Sequence, residues 1–309
     1  MRIGSRVVEI TNREKVFFPD ANLTKGDVID YYEQVSETML THMHRYGVSM
    51  ERYPDGLLDE GFFNKDEPDY FPEWIHTVTI PKREGGSFEA PIVDGKAVLI
   101  YLVDQAVLTF HLYLSRTDNL ERPDKMIFDL DPPEGTVDFG SVRQAALDVR
   151  DAMAEVDMQS WVQTTGSKGF HVTVPLDRSA DFDDVRQFAR DVALVLVRRH
   201  GDRYTLEQRK QKREGRIFLD TLRNSYGATS VAPYSVRARP GAPVATPLEW
   251  REVEDGASPR DWTIENIPER LSQQEDPWSG LMYHAQSIAS RRQALDALLE
   301  EQEPADEEN

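Results

Sequence analysis

Two aspartates spaced two residues apart are the first candidates for chemistry in this sequence. Asp129 and Asp131 lie in the segment MIFDLDP, residues 126–132. Successive side chains of a β-strand point to opposite faces, so both carboxylates are predicted on one face and the apolar residues beside them on the other. Two carboxylates at a strand end can share a pair of divalent cations, the arrangement that two-metal phosphoryl transfer uses. The structural alternative is an Asx turn ahead of Pro132.

A glycine-rich turn, Gly-Ser-Lys-Gly at residues 166–169, separates two short predicted strands, 161–165 and 170–176. Such a turn can present backbone N–H groups to an anion, and Lys168 adds a positive charge. In the following strand His171 alternates with apolar residues, so its side chain is predicted to lie off the core. The structural alternative is an ordinary hairpin with glycine where φ is positive.

Three further segments carry side chains that suit the same chemistry. Asp220 stands near the end of a predicted strand, residues 216–222, and Arg223 follows it. Arg237 and its neighbour two residues on share one face of an extended segment, where guanidinium groups suit phosphate oxygens. His111 lies in an apolar run, where a lone histidine is usually structural. Taken together, three acids, a cationic turn, two histidines and an arginine pair form the inventory of a metal–nucleotide site.

The elements that must position these residues follow from the hydrophobic pattern. Helices are predicted over about residues 24–44, 142–156, 183–199 and 285–299, the first opening on a capping box of Thr24 and Asp27. Residues 98–103 and 107–113 are predicted as buried strands or as a strand–helix pair. Because strands and helices alternate without the regular period of a parallel doubly wound sheet, an α+β fold is predicted, with a mixed or antiparallel central sheet.

Composition limits the class of protein. The 309 residues include no cysteine, which excludes disulfides, zinc–thiolate sites, iron–sulfur clusters and thiol catalysis. There is no membrane-length apolar run and no signal-peptide pattern, so a cytoplasmic protein without a membrane partner is predicted. The net charge of −19 argues, taken alone, against nucleic-acid binding. The charge is uneven, however, with six bases and two acids in residues 203–216 and seven acids without a base in residues 296–309.

Several motifs together resemble the polymerase domain of bacterial DNA ligase D, a member of the archaeo-eukaryotic primase superfamily. They are His111 with the Ser115-Arg116 pair before the FDLDP strand, the GSKGxH turn, the FLDxLRN segment that leads to APYSVRARPGAPVA, and the N-terminal TNxxKV and TKGD segments. The resemblance covers about residues 5 to 280. It implies a primase-like catalytic domain over residues 1–290, in which about 1–100 bind the DNA end and about 101–290 form the catalytic core. Residues 291–309 would form the end of a helix and an acidic tail.

The resemblance also implies roles for individual residues. Asp129, Asp131 and Asp220 are implied as catalytic ligands of two Mn²⁺ or Mg²⁺ ions. The residues implied to bind the incoming NTP or dNTP are His111, Thr165, Ser167, Lys168, His171, Arg223 and Arg237. The residues implied to grip a 5′-phosphate or stack on the template at a DNA end are Lys15, Lys25, Arg52, Phe63 and Lys65.

The activity that the resemblance implies is template-dependent nucleotidyl transfer in non-homologous end joining. NTPs, together with dNTPs, would be added to a primer 3′-hydroxyl to fill short gaps. The implied partners are DNA with breaks or gaps carrying a 5′-phosphate, the Ku protein and a separate DNA ligase, which suggests a nucleoid-associated protein. Since 309 residues leave no room for a ligase or phosphoesterase domain, we expect a free-standing member or an excised domain.

The sequence departs from the family pattern without losing an implied metal ligand. Thr165 stands where many members have serine, Tyr113 where tryptophan is usual, and Thr221 where an aromatic residue is usual.

Two other functions are weighed against the polymerase. A phosphohydrolase of the haloacid dehalogenase type also has D-x-D at a strand end, but it needs a threonine soon afterwards, where this sequence has Pro132 and Pro133. A non-catalytic module that bridges DNA ends would need no complete acid triad. The polymerase is therefore the preferred hypothesis.

Overall fold

The computed structural model describes residues 1–133 and 138–301, and within these ranges short strands and helices alternate. The helices are α1 (Lys25–Met43), α2 (Lys96–Asp104), α3 (Phe139–Glu155), α4 (Phe182–Arg199), α5 (Trp250–Glu254), α6 (Ile267–Gln273) and α7 (Arg292–Glu300). The strands are β1 (Arg2–Ile3), β2 (Arg6–Val7), β3 (Val16–Phe18), β4 (Leu23–Thr24), β5 (Val48–Arg52), β6 (Phe62–Asn64), β7 (Thr77–Pro81), β8 (Ser87–Pro91), β9 (Val107–Tyr113), β10 (Lys125–Asp131), β11 (Trp161–Thr164), β12 (Phe170–Pro175), β13 (Tyr204–Thr205), β14 (Ile217–Asp220), β15 (Thr229–Val231) and β16 (Pro247–Leu248).

The larger sheet has six strands in the order β13-β14-β10-β12-β11-β16. Its pairings are antiparallel except for the parallel β13–β14 pair, so the sheet is mixed. The apolar face of β10, formed by Met126, Phe128 and Leu130, is buried in one core with residues of α3 and α4 such as Val142 and Val185. The other face of β10 is thereby left for the polar residues.

A second sheet of four antiparallel strands has the order β15-β9-β5-β6. A separate core that includes the buried faces of α1 and α2 covers it. This sheet joins distant parts of the sequence, because β15 pairs with β9 across more than a hundred residues. The predicted division of the catalytic domain near residue 100 falls within α2 and stays a prediction.

The loop over residues 232–246 connects the two sheets. On one side the backbone N–H of Phe110 in β9 donates to Ser235 Oγ at 2.8 Å, and Tyr31 in α1 donates its hydroxyl to the Tyr234 carbonyl at 2.8 Å. On the other side the N–H of Thr164 in β11 donates to the Thr246 carbonyl at 2.9 Å. Because both ends of the loop are bonded in this way, Arg237 is held between the sheets.

Most of the predicted elements are confirmed, and one boundary is wrong. The capping box of Thr24 and Asp27 is present, and the two apolar runs are a helix, α2, followed by a strand, β9. The last helix begins at Arg292 and not near residue 285. The reason is that Gln286 forms an isolated parallel bridge with Leu176, just past the end of β12, with its N–H donating to the Pro175 carbonyl at 3.0 Å.

The predicted acidic tail lies partly outside the described residues, which end at 301. Within the described ranges, no helix is long and apolar enough to cross a membrane.

Asn224 offers a test of how the polar face of β10 is held. Its side chain donates to the Ile127 carbonyl at 2.7 Å and accepts from the Ile127 N–H at 2.8 Å, in a fully buried position. We expect Asn224→Ala to lower the free energy of unfolding by about 2–4 kcal/mol, because two buried backbone groups lose their partner. Urea unfolding measures this. The matched control is Asn266→Ala, where an exposed asparagine bonds Thr263 N–H and the Asp261 carbonyl; equal losses in both variants would contradict the assignment.

Candidate active site

The three predicted acids lie at one corner of the larger sheet. Asp129 and Asp220 are direct partners in the antiparallel register of β10 and β14, and Asp131 follows Asp129 on the same face. Strand pairing therefore brings together carboxylates that are 91 residues apart in the sequence (from 129 to 220). The predicted convergence of the acids is present in the structure, and their catalytic role stays a prediction.

Asp129 is held in its ionised form by its contacts with His171 and Arg223. Burial alone would raise the pKa of Asp129, but His171 and Arg223 outweigh it and lower that pKa. His171 lies opposite Asp129 in β12, with Nε2 at 3.3 Å from Oδ1. Arg223 donates from Nε to Oδ2 at 3.0 Å.

The negative charges of Asp131 and Asp220 are not fully neutralised by the cations around them. Burial and the charges of Asp129 and Asp220 raise the pKa of Asp131 to about 6, although Arg213 and Arg223 oppose the shift. Burial and Asp129 also raise the pKa of Asp220, even though the Leu222 N–H donates to it at 2.8 Å. Like charges that raise each other's pKa are a feature that a bound cation relieves.

The acid corner fits divalent cations in donor chemistry and charge. Carboxylate oxygens are the ligands that Mg²⁺ and Mn²⁺ prefer. Among the described residues, no three acidic or histidine side chains are already arranged as a ligand set. Both oxygens of Asp129 instead contact His171 and Arg223. Each of these oxygens keeps a second lone pair, so an ion can bind Asp129 beside these partners.

A cavity of about 160 Å³ opens beside the acids. Its lining residues are His111, Asp129, Asp131, Thr165, Ser167, Lys168, Gly169, His171, Arg223, Ser230, Val231 and Arg237. The structure thus brings together all seven residues predicted for nucleotide binding, and it places two of the three acids on the same wall. Asp220 does not line this cavity.

The glycine-rich turn is held by its own threonine. Thr165 Oγ1 accepts hydrogen bonds from the N–H groups of Ser167, at 3.3 Å, and of Gly169, at 3.2 Å. These two N–H groups are therefore not free to bind an anion, which corrects part of the prediction for this turn. Lys168 is exposed and remains as the turn's positive charge.

Gly169 fits where a larger residue could not. A Cβ at this position would lie 2.2 Å from the Leu130 carbonyl oxygen. The turn therefore packs directly against the strand that carries the acids, which brings Lys168 to the acid corner.

Several buried polar atoms beside this cavity lack a hydrogen-bond partner among the described residues. They include His111 Nε2, Arg237 Nε and Gln163 Oε1. Glu51 is near His111, but 3.6 Å separates its carboxylate from Nε2, which is beyond hydrogen-bonding distance. Because buried polar groups are nearly always paired, such a group of unpaired atoms is typical of a site for a polar ligand.

His111 and Arg237 also have electrostatic properties that suit a charged ligand. Burial lowers the pKa of His111 although Glu51 opposes it, which favours the neutral ring. Arg237 is fixed by its bond from Nη1 to the Thr165 carbonyl at 2.7 Å. A neutral ring and a fixed guanidinium can together hold a charged ligand without repelling each other.

The sequence does not single out two residues that act on this site. Arg213 is buried with its guanidinium 4.2 Å from the Phe218 ring centroid, and its charge lowers the pKa of Asp131 and Asp220. The only sequence feature that points to Arg213 is the basic run over residues 203–216. Glu51 faces His111 through the pairing of β5 with β9, a long-range contact for which no local pattern exists.

A second cavity, of about 200 Å³, contains three of the residues predicted for the DNA end, Lys15, Lys25 and Arg52. Lys25 is buried and pairs with Asp104 at 2.6 Å, and Lys15 pairs with the exposed Asp55 at 2.5 Å. Three cations and one carboxylate line the cavity, so its charge balance favours an anion.

Phe63 lies on β6, beside His111 of the 160 Å³ cavity. It is 60% exposed, and its ring centroid is 5.4 Å from that of His111. On the same pair of strands, Arg52 stands opposite Phe62. Lys65 is exposed just after β6 and lines neither cavity.

Comparison with known proteins gives a consistent answer. A family model described as the LigD primase-polymerase domain matches residues 24–278. The multifunctional non-homologous end joining protein LigD of Mycolicibacterium smegmatis is 32% identical over 271 residues, which is 87% of this chain and 35% of the relative. The bifunctional LigD of Bacillus subtilis is 30% identical over 272 residues, 88% of this chain and 43% of the relative. The chain thus spans less than half the length of these curated relatives.

A solved structure is similar over nearly the whole fold. The polymerase domain of Mycobacterium tuberculosis ligase D, solved in complex with DNA, superposes with a TM-score of 0.85 at 31% identity. The match covers 91% of this chain and all of that chain. The predicted α+β, primase-like architecture is thereby confirmed, and the chain belongs to the family of LigD primase-polymerase domains.

Proposed function

We propose that this protein is a template-dependent nucleotidyltransferase that extends primers and fills short gaps at broken DNA ends. The observation that carries the proposal is that the acid corner and the cationic 160 Å³ cavity share Asp129 and Asp131. The names of the relatives, which refer to non-homologous end joining, and the DNA-bound state of the similar structure support it. A phosphohydrolase and a non-catalytic bridging module account less well for a cavity that combines acids with so many cations.

In this proposal the chain's own residues bind and orient an NTP or dNTP. Lys168, Arg223 and Arg237 hold the triphosphate through charge-assisted hydrogen bonds, and the neutral His111 contacts the nucleotide beside Phe63. Two Mg²⁺ or Mn²⁺ ions held by the three aspartates would lower the pKa of the attacking 3′-hydroxyl and neutralise the pyrophosphate that leaves. No separate protein base is needed at the primer end.

The second cavity is proposed as the site of a 5′-phosphate at the far side of a gap. Lys15, Lys25 and Arg52 would bind the phosphate, while the exposed ring of Phe63 would stack on a template base. Lys65 would add a backbone phosphate contact. Ku and a separate ligase are proposed as partners at the nucleoid.

The acid corner is tested by Asp131→Asn, which keeps the side-chain shape and removes the charge. We expect primer extension to fall roughly 10³-fold, since a bound ion contributes several kcal/mol at the transition state. Gel-resolved extension with Mg²⁺ or Mn²⁺ measures this, and circular dichroism verifies folding. Asp151→Asn, at an exposed helix position, is the matched control. A folded Asp131→Asn protein that extends primers at the wild-type rate would rule out the assignment, and release of phosphate from a small phosphoester would favour the hydrolase.

The nucleotide cavity is tested by Lys168→Ala. Because an exposed charge facing a triphosphate contributes mainly to binding, we expect KM for NTP to rise roughly tenfold with a smaller change in kcat. Steady-state extension over a nucleotide series measures both constants. Lys96→Ala, which removes a half-buried lysine paired with Glu33, is the control. An unchanged KM in the Lys168 variant would remove this residue from the nucleotide site.

The DNA-end cavity is tested by Lys15→Ala. The measured quantity is the ratio of extension on a gapped duplex with a 5′-phosphate to that with a 5′-hydroxyl, over a salt series. We expect the ratio to fall toward one, because the lost contact is specific to the phosphate and is screened by salt. Lys82→Ala serves as the control. If the ratio is the same in wild type and in the Lys15 variant, this cavity does not bind the phosphate.

A further inference from the structure

A third cavity, with a volume of about 340 Å³, lies at the other end of β10. β10 begins at Lys125 and ends at Asp131, so at about 3.3 Å per residue this cavity is roughly 20 Å from the acid corner. Its wall includes the end of α1, Tyr46, Arg116 and the turn from Trp278 to Tyr283. None of these residues takes part in the proposed function.

Lys125 is the unusual residue of this cavity. It is only 8% exposed, yet its ammonium group has no hydrogen bond or ion pair to any residue in the described part of the chain. Its observed contact is a cation–π contact, with Nζ 4.0 Å from the Tyr46 ring centroid. Lys125 Nζ is not among the fully buried polar atoms without a partner, so the ammonium group reaches the open space of the cavity. Its three donors are therefore available to an acceptor that binds there.

The neighbouring acid is engaged through one of its two oxygens, while Asp124 Oδ1 is buried without a partner among the described residues. Asp124 is fully buried, and its Oδ2 accepts from Arg116 Nε at 2.7 Å and from the hydroxyl of Tyr46. Two cations, Arg116 and Lys125, are thus balanced by a single carboxylate. Burial lowers the pKa of Lys125 although Asp124 opposes it, as expected for a cation short of counter-charge. On a protein with a net charge of −19 this local excess is not part of a general positive field.

Aromatic side chains form the rest of the wall. Trp278 is buried, donates from Nε1 to the Val162 carbonyl at 3.0 Å and packs against the His42 ring, so it offers the cavity only a small part of its apolar surface. Tyr283 is 94% exposed at the rim. An aromatic ring left in water beside a buried cation can stack on a planar base while the cation binds a phosphate.

We propose that this cavity binds a nucleoside monophosphate unit, with its phosphate on Lys125 and Arg116 and its base against Trp278 and Tyr283. The cavity volume lies within the range of small-ligand sites, about 300–1,000 Å³. The unit can come from a free mononucleotide or from the terminal nucleotide of a nucleic-acid strand, since both offer the same phosphate and base. This site is separate from the cavities assigned to the incoming nucleotide and to the 5′-phosphate of the gap.

Lysine acetylation of the wild-type chain in EDTA, followed by mass spectrometry, tests the proposal without any substitution. The probes are AMP, adenosine, inorganic phosphate and a 5′-phosphorylated oligonucleotide. At ten times its Kd, AMP is expected to slow acetylation of Lys125 roughly tenfold, as mass action requires, while adenosine has no effect and Lys96 reacts unchanged. Protection by the oligonucleotide as well identifies a strand end as the source, and protection by AMP alone identifies a free nucleotide.

Three outcomes of that experiment overturn the proposal. They are no protection of Lys125 by any phosphate compound, equal protection by adenosine and AMP, and protection by inorganic phosphate as strong as that by AMP. The first two remove the phosphate contact, and the third removes the base contact.

Calorimetric titration of variants with AMP gives an independent measurement of the affinity. The variants are made in a Lys168→Ala background, so that AMP binds less tightly in the catalytic cavity. Lys125→Met removes the charge and keeps the length of the side chain, so AMP affinity is expected to fall roughly tenfold or more. Lys125→Arg is expected to retain binding, and Tyr283→Ala to weaken AMP but not phosphate. With an intact Lys168, the Lys125 variants are expected to extend primers as the wild type does. Unchanged AMP affinity in a folded Lys125→Met protein overturns the proposal, and the acetylation result decides if that variant does not fold.

Discussion

The position of β10 between β12 and β14 is the constraint on which the site depends. One pairing sets Asp129 against Asp220, and the other sets it against His171. A slip of one residue would turn the carboxylates into the core and the apolar side chains outward. Burial of Phe128 and Leu130 against the helices opposes that slip. The strand register that aligns the acids is therefore set by residues that take no part in the chemistry.

Local signals explain which parts of the fold can be predicted from the sequence. Alternating apolar residues identify β10, and the capping box at Thr24 identifies the start of α1, because both depend on neighbours in the chain. A continuous apolar run such as residues 98–103 fits a helix or a buried strand equally well. The start of α7 is missed because the backbone N–H of Gln286 bonds a partner 111 residues earlier, at Pro175. Strands of two or three residues, such as β1 to β4, leave no periodic pattern at all.

The site is harder to derive than the fold, since its residues meet only through long-range pairing. Spacing indicates that Asp129 and Asp131 share a face, but nothing local indicates that Asp220 joins them. Resemblance to a known family supplied that grouping, and the cavity contains all seven residues implied for the nucleotide. Arg213 and Glu51 were not identified from the sequence because their positions beside the site depend on the packed structure. Thr165 was implied as a nucleotide-binding residue, but the bonds from its hydroxyl to the turn depend on the folded loop and have no local signal.

The pairing of β5 with β6 and β9 has a consequence for the proposed function. Arg52, which lines the cavity of Lys15 and Lys25, lies on β5. His111, which lines the nucleotide cavity, lies on the neighbouring β9, and Phe63 lies on β6. A paired sheet of this kind has little freedom to stretch. Under the proposed function, the distance between the two cavities is therefore fixed by the sheet. That distance limits the number of unpaired template bases that can span the two sites.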